Sequence, residues 1–146
     1  MTTYSFQDVT ATLVGPTGTV NLGYGAAVSD EGISTEMSGD KNTMTIGADG
    51  EGMHSLHADN SGSVVVRLLK TSPVNAQLMA MYDAQRLSGN LWGNNQITIR
   101  QIQSGDVTQA TQCAFKKRTG IAYKKVGDYY EWAFDAIRID SVLGTY

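Results

Sequence analysis

Apolar and polar residues alternate along most of this chain. Val9, Ala11 and Leu13 alternate with Thr10 and Thr12, the period-2 pattern of a half-buried strand, and Gly15-Pro16-Thr17-Gly18 supplies a turn after it. Residues 19–22 resume as a short strand, so the first element is a hairpin. Residues 63–69 form the clearest strand. Val64, Val66 and Leu68 share one face and Val65, Arg67 and Leu69 the other, as expected in the middle of a sheet. Further strands are expected at 96–103, 107–115, 120–125, 129–136 and 137–143, separated by Ser104-Gly105-Asp106, Lys116-Lys117-Arg118 and Val126-Gly127-Asp128. Within 129–136, Tyr130, Trp132, Phe134 and Ala136 can fill a core, which leaves Tyr129, Glu131, Ala133 and Asp135 facing away.

One stretch changes period. Ser72-Pro73 offers an N-cap followed by a proline at the first helical position, and Val74, Leu78, Met81 and Tyr82 follow at helical spacing. This predicts one helix over 72–86, with Gly89 beyond its end and Leu91-Trp92-Gly93-Asn94-Asn95 as a loop with an anchoring aromatic. The expected fold is mainly β: a β-sandwich or open barrel with one flanking α-helix, in a single domain over 1–146.

Between these strands lies a polar excursion from 32 to 62, rich in Gly, Asp, Ser, Thr, Met and His. Ordering a loop costs on the order of 1 kcal/mol per residue, and this one has little apolar material to bury in return. Something outside the chain is therefore expected to order it. Period-2 pattern persists at 33–37 and 41–46, so the excursion is expected to be a long inter-subunit loop or an extended hairpin.

Charge narrows the possible partners. With 11 basic against 14 acidic residues the formal charge is -3, so there is no global positive field to hold nucleic acid. The single cysteine, Cys113, cannot form an intrachain disulfide and sits in a strand pattern, where a buried structural thiol is expected. No signal-like leader or run of ~18 apolar residues is present, and no membrane address is expected.

Candidate chemistry is sparse. His54 and His57 lie near Asp49, Glu51 and Asp59, but their i, i+3 spacing shares a face only in a helix, which Gly50 and Gly52 oppose. No metal and no cofactor are expected. Glu131 and Asp135, four apart on a strand face, would be roughly 13 Å from each other, beyond the ~6.5–9.5 Å of an inverting glycosidase pair. There is no G-x-S-x-G elbow, and the Gly47–Gly52 segment carries two acids where a phosphate cradle needs free N–H groups. Lys116, Lys117 and Arg118, with Lys124 and Lys125, form the one basic cluster, expected to be a solvated or salt-bridging hairpin end.

Extended runs of sequence add a resemblance. Asp40-Lys41-Asn42-Thr43-Met44-Thr45-Ile46-Gly47-Ala48-Asp49-Gly50, then Met53-His54-Ser55-Leu56-His57, and Arg67-Leu68-Leu69-Lys70-Thr71-Ser72-Pro73-Val74-Asn75-Ala76 resemble the tail tube proteins of contractile-tailed phages and prophages. So do Tyr4-Ser5-Phe6-Gln7-Asp8-Val9 and Glu131-Trp132-Ala133-Phe134-Asp135-Ala136. That family is related in fold to the type VI secretion tube. The resemblance implies a non-enzymatic virion protein, assembled in the host cytoplasm, whose hexameric rings stack into a conduit for DNA. It also implies sheath, baseplate and terminator partners, with DNA passing through without specific binding. The family's long loop maps onto 32–62, so Met37, Asp40, Lys41, Thr43, Met44, Ile46, Met53 and His54 are expected to touch neighbouring subunits. Strand alternation makes Glu131 and Asp135 candidates for the lumen, where acids would repel phosphates. Two alternatives stay open: a soluble ligand- or carbohydrate-binding β-sandwich using Trp92 and Tyr82, and a hydrolase using His54 and His57.

Overall fold

A computed structural model describes residues 2–146. After a 3-10 turn at Phe6–Asp8, the chain forms β1 (Val9–Gly15), β2 (Gly18–Asn21), β3 (Val28–Met37), β4 (Asn42–Ile46), β5 (Gly52–Leu56), β6 (Gly62–Leu69), α1 (Val74–Gln85), β7 (Asn95–Gln101), β8 (Asp106–Phe115) and β9 (Tyr129–Val142). Seven strands make one antiparallel sheet in the order β2-β1-β7-β8-β9-β6-β3, curled into a half-barrel, while β4 and β5 pair only with each other. The open-barrel form of the expected mainly-β fold is the one observed.

Alternation built the core as the sequence indicates. Leu13, Leu68, Val64, Val66, Ile97, Trp132 and Phe134 are buried on one face of the sheet, and α1 adds Val74, Leu78 and Met81 to the same cluster. The helix crosses one end of the sheet, pegged by buried amides at both of its termini. At the start, Asn75 donates to the Leu69 carbonyl at 2.9 Å and accepts from Trp132 Nε1 at 3.1 Å. At the end, Gln85 and Asn95 exchange two hydrogen bonds of 2.7 and 2.8 Å. The helix starts one residue later than the Ser-Pro pair predicts: Pro73 is the N-cap and makes no side-chain cap bond. Ser72, one position before it, donates to the Ala26 carbonyl at 2.6 Å and accepts from the Val74 N–H at 3.3 Å, so its hydroxyl ties the helix entry to the β2–β3 connection.

Two expected strands differ. Residues 120–125 are not a strand: all of 120–128 is exposed irregular loop, because the strands on either side of it, β8 and β9, pair with each other and leave this segment no strand to pair with. The expected break at 137 is absent, and β9 runs 14 residues without interruption. What changes there is the phase. Ala136 and Ile139 are both buried while Ile137 is exposed, and β8 makes a matching shift, with Ala110 and Cys113 both buried. A bulge accounts for it: β7 pairs Ile97 with Ala110 but Asn95 with Cys113, and Gln112 takes a positive φ of 54°.

Candidate functional site

The excursion of the sequence resolves into ordered structure. Ile33 to Met37 of β3 pair with β6, which leaves the β4–β5 ribbon projecting from the sheet. Its register places Met44 opposite His54, Asn42 opposite Leu56 and Thr45 opposite Met53. Met44, Ile46, His54 and Leu56 therefore share one face, and Thr43, Thr45, Ser55 and Met53 the other. A glycine at positive φ, Gly50, turns the ribbon, closed by the Gly47 N–H donating to the Glu51 carbonyl at 2.7 Å.

A polar clamp fixes the stem. Lys41 Nζ donates to Asn60 Oδ1 at 2.8 Å, the His57 N–H donates to the Lys41 carbonyl at 2.9 Å, and Asp59 accepts from the Ser61 hydroxyl and N–H at 2.6 and 2.8 Å. Those Ser61 hydrogen bonds, hydroxyl first, hold the Asp59 carboxyl below its ordinary value. Above the stem the ribbon buries almost nothing: Met44 is 61% exposed, Ile46 55%, Met53 60% and Leu56 83%. An isolated two-stranded ribbon is marginal in water, so a clamped stem carrying bare apolar residues is a surface prepared for contact.

The structure thus gathers Thr43, Met44, Ile46, Met53 and His54 on one ribbon, with Lys41 in its stem and Asp40 exposed at its entry. Met37, 47% exposed, ends β3 at the base. Leu56 was missed by sequence reasoning although it is the most exposed apolar residue of the ribbon. Its signal was available, since it lies two residues after His54, on the face that carries Met44 and Ile46, at the ribbon's last paired position.

The histidines are separated by the strand geometry. His54 Nδ1 lies 3.2 Å from Asn42 Nδ2 and His57 Nε2 lies 2.7 Å from Thr43 Oγ1, so each imidazole engages a neutral side chain. Among the described residues no three His, Cys, Asp or Glu side chains converge as a metal-binding group. Tyr82 and Trp92 pack edge to face at 6.0 Å and both touch Phe115, so their rings extend the core rather than line a concave pocket.

Glu131 and Asp135 stand exposed on the core-averted face of β9 but differ in surroundings. Glu131 faces Arg67 across the ladder, with its carboxylate 3.6 Å from Arg67 Nε, and Glu31 approaches the same nitrogen at 3.2 Å. Asp135 lies between Ser63 and Ala114, with no cation among these register neighbours. Cys113 is fully buried, and burial pushes its thiol up to about 11. Among the described residues no helix is long and apolar enough to cross a membrane.

Comparison with known proteins gives a consistent result. A family model described as "Bacteriophage PhiTE tail tube protein" matches residues 1–144. No curated protein sequence matches. Among solved structures, a chain of the extracellular contractile injection system PVC, from its sheath/tube terminator in the extended state, is similar at a TM-score of 0.62 and 11% identity, covering 97% of this chain and 98% of that one. A chain of the anti-feeding prophage baseplate gives 0.60 at 12% identity, with 97% of each chain covered. A chain from the tail of an empty GTA particle gives 0.58 at 12% identity, with 99% of each covered. These identities establish a shared fold.

Proposed function

The chain belongs to the phage tail tube family, and on that footing we propose that six copies close into a ring and that rings stack into the tube of a contractile tail, the conduit for DNA. One observation carries the proposal: the clamped β4–β5 ribbon whose Met44, Ile46, Met53 and Leu56 are each more than half exposed in their own subunit. A neighbouring copy covering this ribbon offsets the cost of displaying it. The sheet adds a second support. Its terminal strands β2 and β3 leave unpaired backbone edges at opposite ends of the half-barrel, and such edges template pairing with another chain.

In this reading Met37, Asp40, Lys41, Thr43, Met44, Ile46, Met53 and His54 contact adjacent subunits. The core-averted face, with Asp135 and the partly neutralised Glu131, faces the lumen and discourages phosphate binding. Sheath, baseplate and terminator proteins are the proposed partners, in a virion assembled in the host cytoplasm. The similar structures support this partner set by their descriptions, which name a baseplate, a sheath-tube complex and a terminator.

Negative-stain microscopy of concentrated protein tests the proposal. Six-fold rings or hollow tubes are expected from the intact chain, and dispersed monomers after deletion of residues 43–53. Tubes that persist in the deletion variant would remove the ribbon from the contact, and monomers from the intact chain at every concentration would remove the self-assembling ring.

A further inference from the structure

Charge is concentrated in two places on this molecule. The loop between β8 and β9 carries Lys116, Lys117, Arg118, Lys124 and Lys125 against one acid, Asp128, and all six are exposed. It is also held in place. Lys70 donates to the Ala122 carbonyl and lies 4.3 Å from the Tyr123 ring centroid, and Lys124 pairs with Asp128 at 3.3 Å. Between the cations stand exposed apolar residues, Ile121, Tyr123 and Val126. The second concentration spans β3's end and the ribbon, where Glu36, Asp40, Asp49, Glu51 and Asp59 face one lysine, Lys41, already engaged by Asn60.

Strand pairing fixes where these two clusters sit. The ribbon leads into Gly62 at the start of β6, whereas Leu69 at its end pairs with Tyr129, the first residue of β9 after the basic loop. The loop's return to β9 therefore lies at the far end of the β6–β9 ladder from the ribbon, eight strand residues or roughly 25 Å away. Lys116 leaves β8 beside Ala133, midway along that ladder, so even the near side of the basic loop is set back from the ribbon stem by roughly 10 Å of strand, more than one Debye length at physiological salt. A molecule with a basic pole and an acidic pole has its complement in another copy of itself, oriented the same way.

We propose that the basic loop of one copy, residues 116–128, docks on the acidic β4–β5 ribbon of the next copy in a head-to-tail contact. The proposal rests on the tail tube reading for its partner and names the surfaces that meet. Apolar complementarity favours a second copy over a polyphosphate. Met44, Ile46 and Leu56 on the ribbon can cover Ile121, Tyr123 and Val126, whereas a phosphate backbone would satisfy the cations alone. Lys116, Lys117 and Arg118 then act as recognition charges that set orientation, a role in which like-charged approaches are rejected.

Charge exchange between variants tests the contact. One full-length variant carries Lys116→Glu, Lys117→Glu and Arg118→Glu, and a second carries Asp40→Lys with Glu51→Lys, which spares the Asp49 turn hydrogen bond. Analytical ultracentrifugation of the wild type should show self-association weakening about tenfold or more between ~0.05 and ~0.5 M salt. Each variant alone should associate at least about tenfold more weakly than wild type at low salt, and an equal mixture of the two should recover. Circular dichroism melts confirm folding, and Lys117→Glu with Glu51→Lys as single substitutions provide the same exchange with less perturbation. Salt-independent association, wild-type association by both folded variants, or failure of the mixture to recover would each overturn the proposal. Binding of a 20-base-pair duplex by wild type, lost in the loop variant, would overturn it in favour of nucleic acid. Microscopy of the same samples separates the two readings. Exchange-rescued association without rings retains this contact and removes the tube, whereas rings indifferent to salt and charge reversal retain the tube and remove the contact.

Discussion

Single buried polar atoms decide how α1 is seated, and Asn75 is the most constrained of them. Its amide satisfies both the Leu69 carbonyl and the Trp132 indole N–H, the latter in a side chain with no solvent access. Asn75→Ala leaves the buried Trp132 N–H without a partner, at about 1–3 kcal/mol, whereas the Leu69 carbonyl keeps the Ser72 N–H at 2.9 Å. Urea unfolding should register a loss of at least about 1 kcal/mol, and an unchanged midpoint at equal slope would refute this seat. Cys113 makes a second prediction through pH. Burial raises its folded pKa from 9.0 to about 11. A raised folded value means that the thiol's contribution is complete below pH 9 and is lost as pH climbs towards 11. Stability of the wild type should therefore fall more steeply over that window than that of Cys113→Ala, and parallel curves would exclude the effect. The burial of Cys113 was legible from alternation. Gln112 was not: nothing in a long polar side chain announces a φ of 54°, which the bulge imposes from the pairing of β7 with β8.

Elements were legible where a pattern had a local cause. The helix reads from its Ser-Pro start and its apolar spacing, and the ribbon from surviving period-2 pattern in β4. Failures came where tertiary pairing overruled local pattern. A chain reader breaks β9 at Ile137 because the apolar phase slips, yet the strand continues because β8 slips in step beside it. Residues 120–125 alternate weakly but find no neighbour to pair with, and Lys70 holds them as a loop. The ribbon's independence from the core makes a prediction of its own. Met44→Ser with Leu56→Ser removes apolar surface that is already in water, so the melting temperature should move by no more than a few degrees, as for other surface changes within about 0.5 kcal/mol. Assembly into rings or tubes should be lost. A large drop in melting temperature would mean that the ribbon packs on its own subunit, and intact tubes would mean that its apolar face is not the contact.

Across the whole molecule the strand order was beyond sequence reasoning, because β1 pairs with β7 and β6 with β9 over separations no local signal records. That order nevertheless decides which acids matter if the core-averted face lines a lumen. Placing β6 beside β9 sets Arg67 against Glu131 and leaves Asp135 beside Ser63. Sequence alternation treats the two acids as equivalent, and the sheet makes them unequal. A passing phosphate chain meets a partly compensated group at Glu131, which shares Arg67 with Glu31, and at Asp135 a carboxylate with no ion-pair partner among the described residues, so the repulsion should reside mainly in the latter. Particles assembled with Asp135→Lys should therefore release DNA more slowly than wild type, with the delay growing as salt is lowered, while Glu131→Gln, which frees Arg67 only partly because Glu31 still pairs with it, should retard release less. Time-resolved release measured with a DNA-binding dye distinguishes the cases. Equal rates in all three particles would mean that this face is turned away from the DNA, and a larger delay in Glu131→Gln would mean that the Arg67 pairing does not govern the local charge.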